Sequence, residues 1–208
     1  MGLYTSRSIV LFASACLFGV VAQADIVYTE SVSGDLSGSG LSPTPITVAL
    51  GSNQVFGTTG RAAGVIDLDY FRLTVPVGEV LTSITILPGT AGLGTLGDAF
   101  IGVQAGSQVT VLPTASNATG LLGWFHYDNS DVGKNILPLM GTSGLGSTGF
   151  TPPLPAGTYS FWVQELSTGT APYGFDFTVA TPEPGSWAML LSGLALTAAC
   201  VVRKRTAN

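Results

Sequence analysis

The chain has few charged side chains, and the basic ones are fewer than the acidic ones. Charged residues make up 9% of its 208 residues, with seven Lys and Arg against twelve Asp and Glu. So few basic residues provide no patch for binding phosphates, which argues against nucleic acid as a partner. Charge-driven disorder is also disfavoured, because 46% of the residues are hydrophobic and 9% are aromatic. The composition is that of a chain that folds around a core.

Cysteine and histidine are almost missing from the chain. The two cysteines, Cys16 and Cys200, lie in apolar segments near the two ends, so the central part has no disulfide and no thiol chemistry. The single histidine, His126, needs at least two carboxylates to hold zinc, and none lies at metal-ligand spacing around it. A triad of His126 with a serine and Asp128 or Asp131 stays open, although no nucleophile elbow supports it. We therefore expect that the protein is not an enzyme.

Residues 1–24 are typical of a secretory signal peptide. Arg7 precedes an apolar run over residues 9–21, and the small residues of Ala22-Gln23-Ala24 stand where signal peptidase cleaves. As a helix this run covers about 20 Å, which is short of the hydrocarbon core of a bilayer at about 30 Å. We expect a signal helix that is cleaved after Ala24. An uncleaved anchor and a lipid attached to Cys16 are the alternatives.

A second apolar run, over residues 187–202, lies close to the other end of the chain. The run is preceded by Pro182, Glu183 and Pro184 and is followed directly by Arg203, Lys204 and Arg205. A helix over about residues 185–202 is just long enough to span a bilayer, with the basic cluster 203–205 held on the cytoplasmic side. The pattern fits either a permanent membrane anchor or a sorting tail that is later removed.

Residues 182–208 resemble the PEP-CTERM sorting signal in all three of its parts: a Pro-Glu-Pro box, a membrane helix and a terminal basic cluster. The resemblance implies a Gram-negative bacterium that secretes the protein across its inner membrane, with transient anchoring through the tail. It also implies processing by an exosortase, and a place at the cell surface or outside the cell in association with exopolysaccharide or biofilm.

Residues 25–181 form the predicted secreted domain, in which apolar residues alternate as they do in half-buried strands. The clearest patterns lie at 71–75, 159–163 and 173–179. Weaker candidates lie at 46–50, 80–87, 99–104, 108–112 and 121–127. Gly- and Pro-rich turns separate these segments, and no stretch keeps helical periodicity over three turns. The pattern predicts an all-β fold, an antiparallel β-sandwich or jelly-roll-like arrangement.

Three short motifs of this domain are similar to those of the bacterial pre-peptidase C-terminal (PPC) family. They are Gly51-Ser52-Asn53 with Gly57-Thr58, the segment 67–76 followed by Gly78, and the segment 154–159. The similarity covers roughly residues 46–179, and it implies a jelly-roll-like β-sandwich that serves as an accessory module of secreted proteins. Residues 109–149 are longer and richer in glycine than this family's pattern, so the number of strands there stays open.

Asp67 and Asp69 are the candidate metal ligands. Two residues apart on an extended chain, their carboxylates lie on one side, with about 6.5 to 7 Å between the Cα atoms. Hard oxygen ligands of this kind suit Ca²⁺, and some domains similar to the PPC family bind calcium. The alternative is that Asp69 caps the entry to a strand by bonding nearby backbone amides. Further possible ligands are Asp98, Asp128 and Asp131.

Trp162 and Trp124 are the candidate carbohydrate contacts, because the C–H groups of a pyranose ring pack on a flat aromatic face. Trp162 falls on the strand face opposite to Tyr159, Phe161 and Val163. If those three residues point inward, Trp162 points outward. The alternative is that each tryptophan packs under a neighbouring strand or loop.

These observations predict a secreted, non-enzymatic surface or extracellular-matrix protein that an exosortase sorts and that associates with exopolysaccharide. The alternative function is a carbohydrate-binding module, with a calcium ion as its only candidate cofactor. The three basic and eleven acidic residues of the domain give it a formal charge of −8, which suits solubility outside the cell.

Overall fold

The computed structural model describes residues 24–93, 99–142, 144, 146–182 and 193. The predicted signal peptide, apart from Ala24, therefore lies outside the described residues. So do Glu183 and Pro184 of the Pro-Glu-Pro box, the predicted membrane helix apart from Gly193, and the basic cluster 203–205. None of the helices in the described part of the chain has the length and hydropathy that are needed to span a bilayer.

The described chain is an all-β fold, as predicted, built around a curled and mainly antiparallel sheet. Its strands are β1 (Asp25–Thr29), β2 (Thr44–Ile46), β3 (Gly51–Ala62), β4 (Val65–Val75), β5 (Val80–Ile86), β6 (Ala99–Ala105), β7 (Gly123–His126), β8 (Gly157–Glu165) and β9 (Gly169–Ala180). Two short helices, α1 (Glu30–Ser33) and α2 (Leu137–Thr142), and one 3-10 turn (Asn129–Asp131) complete the described elements.

The sheet runs in the order β5-β9-β3-β4-β8-β6-β7, with β1 and β2 added in parallel to β3 and β4. It curls at β4, because β4 pairs with β3 only near its start, at residues 65–67, and with β8 from Leu68 to Val75. The two ends of the body meet beside β3, since Asn53 lies opposite Asp25 of β1 and opposite Phe177 of β9.

The curl encloses one main core between the two parts of the sheet. Phe71 of β4 stacks on Phe161 of β8 at 5.3 Å, and both rings meet the edge of Phe177 from β9. All three side chains are fully buried, together with aliphatic residues of β5 and β6. Fully burying a side chain of this size contributes roughly 1.5–3 kcal/mol to the stability of the fold. These alternating residues therefore supply most of the driving force for folding.

The strand β3 depends on a buried polar residue rather than on alternating apolar ones. Asn53 is 1% exposed, and its amide group bonds to Ala49, to Gly51 and to Phe177 O. These bonds satisfy every donor of the amide and fix the start of the strand against β9.

The strands predicted from the clearest alternation are confirmed as β4, β8 and β9, and three weaker ones as β5, β6 and β7. The prediction for 46–50 is wrong beyond Ile46, where β2 ends. The prediction of a strand at 108–112 is wrong as well. This segment forms no strand, although its residues Val109 and Val111 are buried. The strands β1 and β3 were not predicted.

Candidate functional site

The outer face of the sheet, on the side away from the main core, carries two rows of side chains across β4, β8, β6 and β7. Strand pairing places Tyr70, Trp162, Gly102 and Trp124 in the first row. Pairing two residues away places Leu68, Gln164, Phe100 and His126 in the second row. Aromatic rings thus occupy five of the eight positions of these rows, counting the imidazole.

A segment without regular structure, residues 107–122, covers part of this face. Val109 N donates to Gly40 O at 2.7 Å, and the Gln104 side chain holds Thr110 through two hydrogen bonds. Val109, Val111 and Leu121 of this segment bury the first row, so that Trp162 is only 5% exposed. The prediction that Trp162 lies on the face opposite to Phe161 is confirmed, but it is not exposed to solvent.

Between this segment and the sheet lies a cleft with a volume of about 410 Å³, within the range of small-ligand sites. The segment forms one wall with residues between 111 and 118. The rest of the lining is Phe100, Leu121, Trp124, His126, Trp162 and Gln164. Both predicted carbohydrate contacts, Trp162 and Trp124, therefore lie in the same cleft.

The aromatic lining is fixed by its own contacts. The Phe100 ring stands between the two indoles, 4.8 Å from Trp162 and 6.0 Å from Trp124. The His126 ring meets the Trp124 ring at 5.0 Å and 76°. His126 Nδ1 lies 3.2 Å from Ala99 O, and a carbonyl only accepts, so Nδ1 carries the proton and Nε2 is an acceptor in the neutral ring.

Two buried polar atoms of the cleft residues have no hydrogen-bond partner among the described residues. They are Nε1 of Trp162, a donor, and Oε1 of Gln164, an acceptor. Gln164 is 8% exposed. A buried polar group without a partner costs about 1–3 kcal/mol, so a ligand or a water molecule that supplies the missing partner would be bound favourably there.

A second site candidate is a cluster of three carboxylates, Glu30, Asp35 and Asp69. One carboxylate oxygen of each lies within 4.8 Å of the others. Glu30 is the first residue of α1, and its carboxylate accepts from the backbone N–H groups of Leu36 and Thr58. A surface depression of about 540 Å³ lies above Glu30 and Asp35.

Asp69 is the buried member of this acidic cluster. It has no solvent exposure, its Oδ2 accepts from the Tyr173 hydroxyl at 2.7 Å, and its Oδ1 has no partner among the described residues. Burial, more than the nearby charge of Glu30, raises the pKa of Asp69 to about 8. The β3 backbone passes so close that a Cβ at Gly57 would lie 3.0 Å from Glu30 Cδ and would collide with the Tyr173 hydroxyl.

The predicted pair of Asp67 and Asp69 is divided by the structure. Asp67 is exposed and does not belong to the cluster that contains Asp69. The capping alternative for Asp69 is wrong, because Asp69 lies inside β4 and its hydrogen bond comes from a tyrosine side chain.

The other predicted ligands have different positions. Asp128 and Asp131 form the capping box of the 3-10 turn, and Asp131 also binds Lys134 at 2.7 Å. Asp98 lies outside the described residues.

Sequence reasoning missed Glu30 and Asp35 as partners of Asp69, and it missed Gln164 and Phe100 as cleft residues. No local spacing connects these positions. The parallel pairing of β1 with β3 brings Glu30 to Thr58, and the ladder of β6 with β8 brings Phe100 to Gln164.

The chain matches no known protein family model, and a comparison with curated proteins finds no significant match. The two sites therefore rest on geometry and chemistry alone.

Proposed function

We propose that this chain is a secreted, non-enzymatic surface or extracellular-matrix protein whose body binds a calcium ion and associates with exopolysaccharide. The observation that carries the calcium part is the convergence of Glu30, Asp35 and Asp69, because Asp69 has a buried Oδ1 without a partner among the described residues. The secretion part rests on the signal peptide and the tail that resembles a PEP-CTERM signal.

The finer architecture that we propose is a jelly-roll-like β-sandwich similar to the PPC family, with residues 25–181 as its domain. Support comes from the curl of the sheet at β4 and from the aromatic core between its two parts. The tail, with an exosortase as its processing partner, would first anchor this domain in the inner membrane and then release it outside the cell.

Calcium fits the acidic cluster better than a basic side chain does. One oxygen of each carboxylate lies within 4.8 Å of the others, so the three are close enough to bind one Ca²⁺ at about 2.3–2.6 Å. No Lys or Arg is paired with Glu30, Asp35 or Asp69 in the described part of the chain. Water molecules and second carboxylate oxygens would complete the six to eight ligands that calcium takes.

The calcium proposal is tested by titrating the chelator-treated chain with CaCl₂ in a calorimeter. We expect one site, and we expect Asp69→Asn and Asp35→Asn each to weaken binding by about tenfold or more. Asp128→Asn is the matched control, since Asn still caps the 3-10 turn. Binding that survives Asp35→Asn but is lost in Asp67→Asn would return the site to the Asp67 and Asp69 pair. No binding heat at all would contradict the proposal.

Bound calcium should also stabilise the native state. At a calcium concentration of a hundred times Kd the gain is about 2.7 kcal/mol, because the ion binds the native state alone. Thermal melts in chelator and in millimolar calcium measure this gain. Superimposable melts would contradict a native calcium site.

The sorting proposal is tested on the protein from its native cell surface. We expect intact-mass analysis to show a mature chain that begins at Asp25 and has lost its C-terminal tail. Deleting Arg203, Lys204 and Arg205 should impair membrane retention, because the charges that stop transfer are gone. Native protein that keeps its tail through Asn208 would instead indicate a permanent anchor.

A further inference from the structure

The aromatic cleft on the outer face has the chemistry of a ligand site. It is a different place from the acidic cluster proposed for calcium and from the sorting tail. Its base is formed by strands, because Phe100 lies on β6, Trp162 and Gln164 on β8, and Trp124 and His126 on β7. Side chains on paired strands keep their positions better than side chains on loops do. The lining is therefore largely preformed.

The two buried polar atoms define what such a ligand must offer. Trp162 Nε1 needs an acceptor, and Gln164 Oε1 needs a donor. The two residues lie two positions apart on the same strand face, so their Cα atoms are about 6.5 to 7 Å apart. Neighbouring hydroxyl groups can satisfy both atoms, because each hydroxyl donates and accepts. A lipid chain or an apolar side chain would leave both atoms without a partner.

The rings of the lining define the other half of the ligand. Trp124 is only partly buried and lies beside Phe100 and His126, so an aromatic surface borders the polar atoms. A pyranose combines a C–H face that packs on such a surface with hydroxyl groups at its edge. His126, which also lines the cleft, is exposed to solvent.

The lack of charged side chains in the described lining of the cleft favours neutral sugars over acidic ones as ligands. Among the described residues that line it, none is Asp, Glu, Lys or Arg. The domain as a whole carries a formal charge of −8, which repels polyanions over distances up to about 10 Å at moderate salt. A uronic acid would lose its hydration here without gaining a basic partner.

This inference rests on the exopolysaccharide association of the proposed function. We propose that the cleft binds a neutral pyranose residue of an extracellular polysaccharide, which packs on Trp124 and hydrogen-bonds to Trp162 Nε1 and Gln164 Oε1. Gln164 and Trp162 set the orientation of the ring through its hydroxyl groups. Trp124 supplies the stacking surface.

The test uses the purified full-length chain in affinity electrophoresis through gels that contain one polysaccharide each. The neutral gels contain a soluble β-glucan, dextran or galactomannan, and the anionic gels contain alginate or polygalacturonate. We expect retardation in at least one neutral gel and none in the anionic gels. Retardation in no neutral gel, or a stronger effect in the anionic gels, would overturn the proposal.

Two variants test the named contacts. Gln164→Leu removes the acceptor while keeping the size of the side chain, and Trp124→Ala removes the stacking surface. We expect each to weaken binding in the retarding gel by about tenfold, which corresponds to about 1.4 kcal/mol. The matched control is Gln54→Leu, a half-buried glutamine of β3 outside the cleft. If Gln164→Leu binds as tightly as Gln54→Leu does, the proposal is wrong.

The result is independent of the calcium proposal, because the calorimetric titration with CaCl₂ uses no sugar. Retardation that Gln164→Leu and Trp124→Ala both leave unchanged would reject this inference alone. Retardation in no gel, neutral or anionic, would also reject the exopolysaccharide part of the proposed function. Loss of calcium binding with intact retardation would reject the calcium part of the proposed function alone.

Discussion

The inner and outer faces of β4, β8 and β6 are both largely buried, but the burial differs in kind. On the inner face Phe71, Phe161 and Phe177 meet across two parts of a sheet, and their rings interlock without polar atoms. On the outer face a single irregular segment covers Trp162 and leaves its Nε1 without a described partner. Around Phe71, burial between strands gives close ring-to-ring packing, whereas burial under the segment 107–122 leaves a cleft of about 410 Å³. The second kind of burial is suited to a ligand.

The largest expected effect is on the inner face. We expect Phe161→Ala and Phe175→Ala each to lower the free energy of unfolding by roughly 3 to 5 kcal/mol, because both side chains are fully buried in the core. Urea denaturation of each variant measures the loss. A cost below that of Trp162→Ala would mean that the outer face, and not the inner one, is the main core.

A smaller loss is expected on the outer face. Trp162→Ala should cost about 3 kcal/mol, the low end of the range for a buried aromatic side chain, because the covering segment 107–122 can settle into the vacated space. The same urea denaturation gives the comparison, and Trp124→Ala, which removes a less buried ring, serves as the reference for a milder change. A loss equal to that of Phe161→Ala would show that the segment is as rigid as a strand.

The response to high pH distinguishes the outer face further. Burial raises the pKa of Tyr70 to about 12, so the unfolded chain ionises first, above about pH 10. The stability from this group is complete below pH 10 and is lost as the pH rises through 12. Urea denaturation of the wild type and of Tyr70→Phe at pH 9, 10 and 11 gives the free energy of unfolding of both. The difference isolates the contribution of Tyr70 from those of the other tyrosines. Equal slopes in both proteins would mean that the Tyr70 hydroxyl reaches solvent.

The smallest expected effect on stability is that of Gln164→Leu. Its Oε1 has no partner among the residues that the structure describes, so an apolar replacement should leave the free energy of unfolding within about 0.5 kcal/mol, or raise it. Thermal melts without added sugar, with Gln54→Leu as control, check this. A loss of more than about 1 kcal/mol would show that the Gln164 amide is already satisfied within the fold.

Alternation in the sequence was enough to predict the inner face. Phe71, Phe161 and Phe175 each belong to a run with period two, and each such run is a strand with those residues in the core. The strand β3 was not predicted, because its inward positions include Asn53, Gly57 and Thr59, which do not contribute to an alternating apolar pattern. Hydrogen bonds and close backbone contacts hold those positions, and a single sequence does not display them.

The two sites were only half predictable for a related reason. Trp162 could be assigned to the outer face from its neighbours, but the segment that covers it comes from residues 107–122. Asp69 could be singled out from its spacing to Asp67, but its actual neighbours, Glu30 and Asp35, come from α1 and the loop after it, more than thirty residues earlier. Local spacing reports which face a side chain takes, and long-range pairing decides what meets it there.

The strand β3 lies between β1 and β9, which are the first and last strands of the domain. Asp25 and Phe177 lie on the two sides of Asn53, so both ends of the domain leave from the same pole, two strand spacings or about 10 Å apart. The chain therefore enters and leaves the domain at one pole. The turn between β3 and β4, at Ala63 and Gly64, stands at the opposite pole.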